Sequence, residues 1–313
     1  MVSPEISVVI PTRNRGQLLS QTIRSLFAQH IPLEVIVARA ADDTEAPNIP
    51  ESSDERVRLV QSKDAVRTGP LINFGYQSVQ SPRIFIFADD DLVMPKTLST
   101  LLNIAIKEEA DLVGGISIGI SSDTKLESLA NLRPPNRPRI QPFRWRYVYG
   151  PFLKLPMPGN TLYSADLVMA IPWNEKHPVH VDKYFSIESC ALARKPLITN
   201  VAVRGYRSHP SQLSKQFDPE IYLDEDKQWI KWVLEHYPQS LRYARQRKAE
   251  ELLCNAFVAH QRDQISEYGK LTLKIPFHTP EVLTESKWWR MVGHFILTEV
   301  TRVQLGRHDD QSE

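Results

Sequence analysis

An apolar run that ends in three consecutive aspartates is the feature that most constrains the fold of this chain. Ile84 to Phe87 are all β-branched or aromatic, which is typical of a strand buried on both faces of a sheet. Asp89, Asp90 and Asp91 follow almost directly. Because ligands of open α/β sheets bind beyond the carboxyl ends of the strands, the carboxylates stand where a ligand is expected. The alternative is an acidic loop that only solvates the end of the strand.

The three adjacent carboxylates predict a bound cation. Like charges repel one another, and their burial is costly unless a cation or hydrogen-bond donors compensate them. Mg²⁺ and Mn²⁺ prefer carboxylate ligands together with the phosphate oxygens of a substrate. The sequence therefore predicts a divalent cation, Mn²⁺ or Mg²⁺, near Asp89 to Asp91, and a ligand that carries phosphate.

The order of the predicted elements indicates an α/β fold. Strands and helices alternate along the first 118 residues, which is typical of a mostly parallel sheet with covering helices. The predicted strands are Ile6–Ile10, Leu33–Ala38, Val57–Val60, Ile84–Phe87 and Asp111–Ile118, and the predicted helices are Leu18–Phe27, Gly69–Val79 and Lys96–Glu109.

The second half of the chain differs in composition from the first. Residues 129–158 are rich in proline and aromatic side chains, which predicts a packed or ligand-facing loop rather than a regular element. From Asp218 onward, apolar residues recur at helical spacing. We therefore predict one α/β domain over residues 1–217 and a helical extension over residues 218–313.

The composition excludes several classes of protein. A formal net charge of +1 over 313 residues gives no basis for nucleic-acid binding. Two cysteines, Cys190 and Cys254, are too few for a disulfide framework or a zinc site, so a reducing compartment is predicted. The N-terminus does not have the pattern of a signal peptide, and no run is long and apolar enough to span a bilayer. We therefore predict a cytoplasmic protein.

A segment near the C-terminus leaves a membrane contact open. Residues 287–305 combine Trp288 and Trp289 with apolar and basic positions, which is typical of helices that lie on a membrane surface. Packing of the same helix against its own domain is the alternative, because most amphipathic helices pack in this way. A peripheral position at the inner face of the membrane therefore remains one of two interpretations.

Four stretches of the chain carry a resemblance to a known family. They are SVVIPTRNR at 7–15, VRTGPLINFGYQSV at 66–79, FADDDLVMP at 87–95 and, more weakly, VDKYF at 181–185. In this order and spacing they resemble the family 2 nucleotide-sugar glycosyltransferases of the GT-A fold, and within them the spore-coat polysaccharide transferase type. The resemblance covers about two thirds of the chain. It implies a Rossmann-like sheet, with a donor half over about 1–118 and an acceptor half over about 119–217.

The resemblance implies a binding site for a nucleotide-sugar donor. The residues with implied contacts to the nucleotide are Pro11, Thr12, Arg13, Arg15, Arg67, Asn73 and Asp89. One departure concerns the acid that the family places directly after its second strand, since Arg39, Ala40 and Ala41 occupy that point here. Either Asp42 or Asp43 replaces this acid through a longer loop, or the nucleotide is not the commonest one. UDP-, GDP- and dTDP-sugars therefore remain open.

The resemblance also implies the catalytic groups. It implies that Asp90 binds the metal, with Asp91 and His209 as further metal ligands, and that Asp182 is the general base. The implied reaction is a single displacement with inversion, from a nucleotide-diphosphate sugar to a hydroxyl of a carbohydrate or glycoconjugate acceptor. From the residues alone, Asp182 fits a helix N-cap before KYFSIE, and His209 fits a solvated loop histidine.

Two other functions stay open at this stage. Residues Phe85 to Val93 also fit the strand and Asp-x-Asp-x-Val pattern of a haloacid dehalogenase-type phosphohydrolase, in which the first aspartate is a nucleophile. That motif normally opens its domain, whereas two or three predicted strands precede it here. The other alternative is a non-catalytic nucleotide-sugar-binding module that has lost donor recognition at Arg39 to Ala41.

Overall fold

A single mixed sheet organises the first two thirds of the chain. The computed structural model describes residues 3–148, 155–177, 179–209, 212, 218–262, 264–277, 280, 283 and 288–293. The strands are β1 Ile6–Thr12, β2 Leu33–Arg39, β3 Val57–Gln61, β4 Arg83–Ile86, β5 Leu92–Val93, β6 Leu112–Ile120, β7 Ile140–Pro142, β8 Thr161–Ser164 and β9 Pro196–Arg207. The helices are α1 Gly16–Phe27, α2 Thr68–Tyr76, α3 Thr97–Lys107, α4 Leu126–Leu129, α5 Ala165–Met169, α6 Val181–Leu192, α7 Pro219–His236, α8 Ala244–Gln261 and α9 Ile265–Lys274.

The strand order brings the carboxyl ends of the first strands together. The order is β3-β2-β1-β4-β8-β6-β9-β5, and β7 pairs with β9. Strands β3, β2, β1 and β4 are parallel, with Val9 opposite both Ile36 and Ile86. Strand β8 is antiparallel to both of its neighbours, and β6 and β9 are parallel. The predicted α/β class with a mostly parallel sheet is therefore confirmed, and the antiparallel strands lie beyond β4.

The central strand β1 is buried on both faces, which explains its continuous apolar sequence. Val8 and Ile10 belong to one apolar layer, which includes Leu19 and Ile23 of α1. Val9 belongs to the opposite layer, which includes residues of α2 and α6. Alternate side chains of a strand point to opposite faces, so a strand between two helical layers has no polar face.

Strand β9 is an element that the sequence did not predict. Its twelve residues include Asn200 and Gly205, two residue types that are depleted in strands. Its pairing with β6 is also interrupted by register shifts between Gly114 and Ser117. The strand has consequences for the site, because it carries Arg204 and Arg207 and ends two residues before His209.

The chain divides into two compact units, each with its own apolar core. The first consists of Met1–Phe143 and Leu155–Lys215, and the second consists of Arg144–Lys154 and Gln216–Glu313. The segment Arg144–Lys154 thus belongs with the C-terminal helices, and Trp145 in it stacks on Tyr237 with the ring centroids 5.1 Å apart.

The second unit is helical. Its core includes Leu252 of α8, Ile275 and Trp288. No helix in the described ranges is long and apolar enough to cross a membrane. Of the segment 287–305, for which a membrane-surface helix was one interpretation, only 288–293 lie within the described residues.

Candidate active site at the ends of the parallel strands

Asp89 is the first of the three carboxylates, and it lies buried against the end of β1. The hydroxyl of Thr12 donates a hydrogen bond to Asp89 Oδ2 at 2.8 Å, and Nη1 of Arg15 donates to Oδ1 at 3.1 Å. Burial and the neighbouring charge of Asp90 raise the pKa of Asp89 to about 7, against the opposing effects of Arg15 and Thr12. The structure thus brings together the predicted residues Thr12, Arg15 and Asp89.

Asp90 is the carboxylate that has a histidine beside it. Its Oδ2 atom accepts a hydrogen bond from Nη1 of Arg15 at 2.8 Å and lies 3.1 Å from Nε2 of His209. Both residues are buried, with 11% of the Asp90 side chain and 7% of the His209 side chain exposed. The interpretation of His209 as a solvated loop histidine is therefore wrong.

The donor set at Asp90 fits a divalent cation. Two neighbouring ligands of an octahedral ion, each about 2.1 Å from the metal, lie about 3.0 Å apart. The separation of 3.1 Å between Asp90 Oδ2 and His209 Nε2 matches this spacing. Within the described ranges no group of three or more histidine, cysteine or acidic side chains forms a complete metal site. Asp90 and His209 thus fit two ligands of such an ion, which would need further ligands beyond this pair.

Asp91 differs from its two neighbours, because both of its oxygens accept hydrogen bonds from β9. Nε of Arg204 donates to Oδ2 at 2.5 Å, and the backbone N–H of Arg207 donates to Oδ1 at 2.8 Å. The Asp91 side chain is fully buried, and this burial raises its pKa, against the opposing charge of Arg204. Asp91 therefore fastens β9 to the loop after β4, and its role as a metal ligand stays a prediction.

Arg207 adds a third guanidinium close to the carboxylates. The residue is 1% exposed, and none of its three guanidinium nitrogens has a hydrogen-bond partner among the described residues. Burial lowers its pKa, and the charges of Asp91 and Asp90 act in the opposite direction. Three carboxylates and the guanidinium groups of Arg15, Arg204 and Arg207 thus share one small region.

Polar side chains of α1 make hydrogen bonds with the backbone of the loop that carries Asp89, Asp90 and Asp91, which we call the aspartate loop. The Thr22 hydroxyl lies 2.7 Å from the carbonyl oxygen of Asp91 and 3.1 Å from that of Asp89. The Ser25 hydroxyl accepts a hydrogen bond from the N–H of Val93 at 3.0 Å. These helix residues were missed at the sequence level. The signal was present, since Thr22 and Ser25 are polar positions that fall beside Ile23 and Leu26 on the apolar face of the helix.

The loop after β2 is tied to the turn after β1 by two aspartates. Arg13 forms an exposed salt bridge with Asp42 at 2.7 Å, and hydrogen bonding to Arg13 is the main cause that lowers the pKa of Asp42. Asp43 is buried, where it accepts from the N–H of Asn14 at 2.7 Å and from Nε of Arg39 at 3.0 Å. Of the two acids, Asp42 is therefore the one exposed to a ligand.

Two residues predicted to contact the nucleotide, Asn73 and Arg67, make no hydrogen bond with the three aspartates in the part of the chain that the structure describes. The Asn73 side chain donates to the carbonyl oxygen of Trp173 at 3.0 Å and accepts from its N–H at 2.8 Å, so it connects α2 to the segment after α5. Arg67 is exposed just before α2. Pro11 lies in β1 opposite Ala38 of β2.

Asp182 lies in the first turn of α6. The residue at the N-cap position is His180, so the interpretation of Asp182 as the N-cap is wrong. One carboxylate oxygen accepts from the N–H of Lys183 at 2.8 Å. Burial raises the pKa of Asp182, and the charges of Lys183 and Arg204 oppose this effect. A carboxylate with a raised pKa is a stronger base, which suits proton abstraction.

The class of the protein follows from its sequence, which matches a family of glycosyltransferases. The sequence model described as Glycosyl transferase family 2 matches residues 7–170, more than half of the chain. The chain therefore belongs to glycosyl transferase family 2, as its resemblance predicted. The spore-coat type stays a prediction.

Known proteins support the same class. The chain is 24% identical over 261 residues to the GalNAc(5)-diNAcBac-PP-undecaprenol beta-1,3-glucosyltransferase of Campylobacter jejuni, and the match covers 77% of this chain and 83% of the relative. S. aureus TarS 1-349 in complex with UDP-GlcNAc is similar at a TM-score of 0.63 and 15% identity, over 87% of this chain and 82% of that one.

A second solved structure has the same fold. The mannosyltransferase PcManGT from Pyrobaculum calidifontis, in complex with GDP-Man and Mn²⁺, is similar at a TM-score of 0.58 and 12% identity. The match covers 97% of this chain and 88% of that one. These likenesses support the GT-A fold. The family match favours a glycosyltransferase over the haloacid dehalogenase-type phosphohydrolase and over the non-catalytic binding module.

Proposed function

We propose that the protein is a metal-dependent, inverting glycosyltransferase that uses a nucleoside-diphosphate sugar. The observation that carries this proposal is the pair formed by Asp90 Oδ2 and His209 Nε2, 3.1 Å apart at the carboxyl end of β4. A Mn²⁺ or Mg²⁺ ion held by Asp90 and His209 would neutralise the diphosphate as its bond to the sugar breaks. Phosphate oxygens and water would complete its ligands.

Other residues of the first unit are assigned to nucleoside binding and to proton abstraction. We assign the nucleoside to the surface formed by Pro11, Thr12 and Arg13, with the exposed Asp42 beside it to bind polar atoms of the base or ribose. Asp182 accepts the proton of the acceptor hydroxyl, for which its raised pKa suits it. A base on the face opposite the leaving diphosphate gives inversion in a single displacement.

We further propose that the acceptor is a carbohydrate on a lipid carrier. The Campylobacter jejuni relative is named for a PP-undecaprenol acceptor, and this chain matches 83% of its length. A lipid-linked acceptor would place the protein at a membrane surface, and we assign the cytoplasmic, inner face. The second unit has exposed apolar side chains suited to such a surface, since Phe277 is 85% and Trp289 is 55% exposed.

Calorimetric binding of UDP, GDP, dTDP and CDP, with and without Mn²⁺, tests the donor site. We expect one diphosphate to bind in a metal-dependent manner, and we expect Asp90→Asn to abolish this dependence. Asp182→Asn should bind the same diphosphate normally but transfer no sugar. Asp64→Asn, a change of an exposed aspartate, is the matched control.

Two results would contradict these roles. If no diphosphate binds to the wild type with Mn²⁺ present, the donor site is not functional and the binding proposal is wrong. Equal loss of diphosphate binding in Asp90→Asn and Asp182→Asn would overturn the separation between a metal ligand and a base. Turnover of a nucleotide sugar separates an enzyme from a binding module.

A further inference from the structure

The position of Arg15 bears directly on how a cation enters this site. Its Nη1 atom donates to Asp89 Oδ1 at 3.1 Å and to Asp90 Oδ2 at 2.8 Å, so one nitrogen bridges the two carboxylates. Asp90 Oδ2 is also the oxygen that faces His209. The guanidinium of Arg15 therefore contacts the same oxygen atom, Asp90 Oδ2, that would bind the proposed metal.

The three aspartates and the three arginines of the site have equal and opposite formal charges without a metal. The carboxylates of Asp89, Asp90 and Asp91 carry three negative charges when ionised, and Arg15, Arg204 and Arg207 carry three positive charges. Arg204 is fixed on Asp91, and Arg207 donates its backbone N–H to the same residue. Arg15 is the cation whose side chain contacts Asp90, so it is the one that a metal on Asp90 would displace.

A divalent cation alone would add two positive charges to this balanced site. The charge would be repelled by Arg15 at close range, in a partly buried environment where screening is weak. A nucleoside diphosphate brings compensating negative charge and offers phosphate oxygens to a guanidinium, which binds them well. The metal and the diphosphate should therefore favour each other's binding.

We propose that Arg15 competes with the divalent cation for Asp90, and that the diphosphate of the donor relieves this competition by drawing Arg15 away from the carboxylate. This inference deepens the proposed function and rests on it for the diphosphate. The competition itself concerns only the nucleotide-free protein. Arg15 thus makes tight metal binding conditional on the presence of the donor.

Mn²⁺ binding, measured by calorimetry and by the electron paramagnetic resonance signal of unbound Mn²⁺, tests the inference. We expect wild-type protein to bind Mn²⁺ at least about tenfold more weakly without the diphosphate than with it, within the usual range of coupling between sites. By reciprocity, Mn²⁺ should raise the affinity for the diphosphate by the same factor. Arg15→Met should bind Mn²⁺ more tightly than wild type in the absence of nucleotide, and its coupling factor should approach one.

Two further variants distinguish competition for Asp90 from a general effect of removing a positive charge, and a folding control excludes loss of structure. Arg13→Met removes a cation from the same turn, but one that pairs with Asp42 rather than Asp90, so Mn²⁺ affinity without nucleotide should change little. Arg15→Lys keeps the charge on a shorter side chain without the planar guanidinium, and its Mn²⁺ affinity should fall between those of wild type and Arg15→Met. Circular dichroism confirms that each variant is folded.

The possible results are distinct. If Arg15→Met and Arg15→Lys bind Mn²⁺ no more tightly than wild type without nucleotide, the competition does not exist and the inference is wrong. An equal gain in Arg13→Met would also overturn it, because the effect would then be general charge. If wild type binds no diphosphate, the proposed function fails, while the comparison of nucleotide-free wild type with Arg15→Met still decides the competition.

Discussion

At the scale of single residues, three adjacent aspartates have three different environments. Asp89 is held by Thr12 and Arg15, Asp90 faces His209, and Asp91 is bonded to β9. Substitution of each aspartate therefore removes a different set of contacts. Substitution of Asp90 should act on ligand binding, whereas substitution of Asp91 should act on stability.

We predict that Asp91→Asn destabilises the protein by about 3 kcal/mol or more, because it leaves the guanidinium of Arg204 without its ionised partner in a buried site. Urea unfolding measures this change. Asp90→Asn is the comparison, and it should cost less stability because the Asp90 side chain is 11% exposed whereas that of Asp91 is fully buried. Equal unfolding free energies for wild type and Asp91→Asn would contradict the assignment of Asp91 to the framework.

The stability of the fold should depend on the protonation of His180. Burial, with smaller effects from the charges of Lys183 and His177, lowers the pKa of His180 to about 2 in the folded state. The ordinary value of about 6.5 applies to the unfolded chain, so below this pH the unfolded state binds a proton that the folded state excludes. The free energy of unfolding should therefore fall as the pH falls below about 6.5.

We predict that His180→Asn removes part of this pH dependence, since asparagine is neutral and is favoured at an N-cap. Between pH 7.5 and pH 5, the loss of unfolding free energy should be about 2 kcal/mol smaller in the variant than in wild type. Urea unfolding at both pH values measures the difference. Identical slopes for His180→Asn and wild type would show that His180 takes up its proton in the folded state.

How much of the site the sequence predicts depends on the distance between contacting residues along the chain. Asp89 and Asp90 could be predicted, because they directly follow an apolar strand. The partner of Asp91 could not, since Arg204 lies 113 residues further on and reaches it through a strand that was not predicted. His209 entered through the family resemblance, and its separation of 119 residues from Asp90 explains why spacing alone gave no signal.

At the scale of elements, the close approach of β6 and β9 explains Gly115 but not Gly119. A Cβ atom added to Gly115 would lie 2.4 Å from Cγ2 of Val203 and 2.5 Å from the carbonyl oxygen of Val201. A Cβ atom added to Gly119 on the same strand would have nothing within 4 Å. Only the first position therefore requires the absence of a side chain.

We predict that Gly115→Ala destabilises the protein by about 1–3 kcal/mol, because the new methyl group forces β9 away from β6 in a packed interior. Gly119→Ala is the matched control and should change the unfolding free energy by less than about 0.5 kcal/mol. Thermal or urea unfolding of both variants measures the effect. A similar stability of the two variants would show that the sheet yields without cost at Gly115.

Most elements of the first 118 residues followed from the sequence because their apolar runs and turns are local signals, whereas the two-residue strand β5 was not predicted. The predicted helix over residues 96–109, for example, is α3 Thr97–Lys107 in the structure. Strand order did not follow in the same way. The insertion of β8 between β4 and β6 pairs segments that lie far apart in the chain, such as Phe85 with Leu162. No local pattern specifies such a pairing.

At the scale of the whole molecule, the two units have different chemistry. The carboxylates, guanidinium groups and Asp182 all lie in the first unit, whereas the most exposed large apolar side chain of the described residues, Phe277, lies in the second. The sequence indicated a change of character near Asp218 through its helical spacing. It gave no sign that Arg144–Lys154 belongs with the C-terminal helices, because stacking of Trp145 on Tyr237 is a long-range contact.

We predict that donor and membrane protect different segments from amide hydrogen exchange. A nucleoside diphosphate with Mn²⁺ should slow exchange in peptides that cover residues 84–95 and 196–209, because ligand binding lowers the population of open states in the unit that binds it. Vesicles containing anionic lipid should slow exchange in α9 and in the turn that ends at Phe277, where apolar side chains are exposed.

Asp90→Asn serves as the control for the first effect and Phe277→Ser for the second. Asp90→Asn should lose the protection by nucleotide and Mn²⁺ but keep the protection by vesicles, whereas Phe277→Ser should show the opposite. If vesicles protected only segments of the first unit, the membrane contact would not lie on the C-terminal helices. If Asp90→Asn kept full protection by nucleotide and Mn²⁺, the metal would bind elsewhere, because Asp90 is the proposed ligand that links the cation to the aspartate loop.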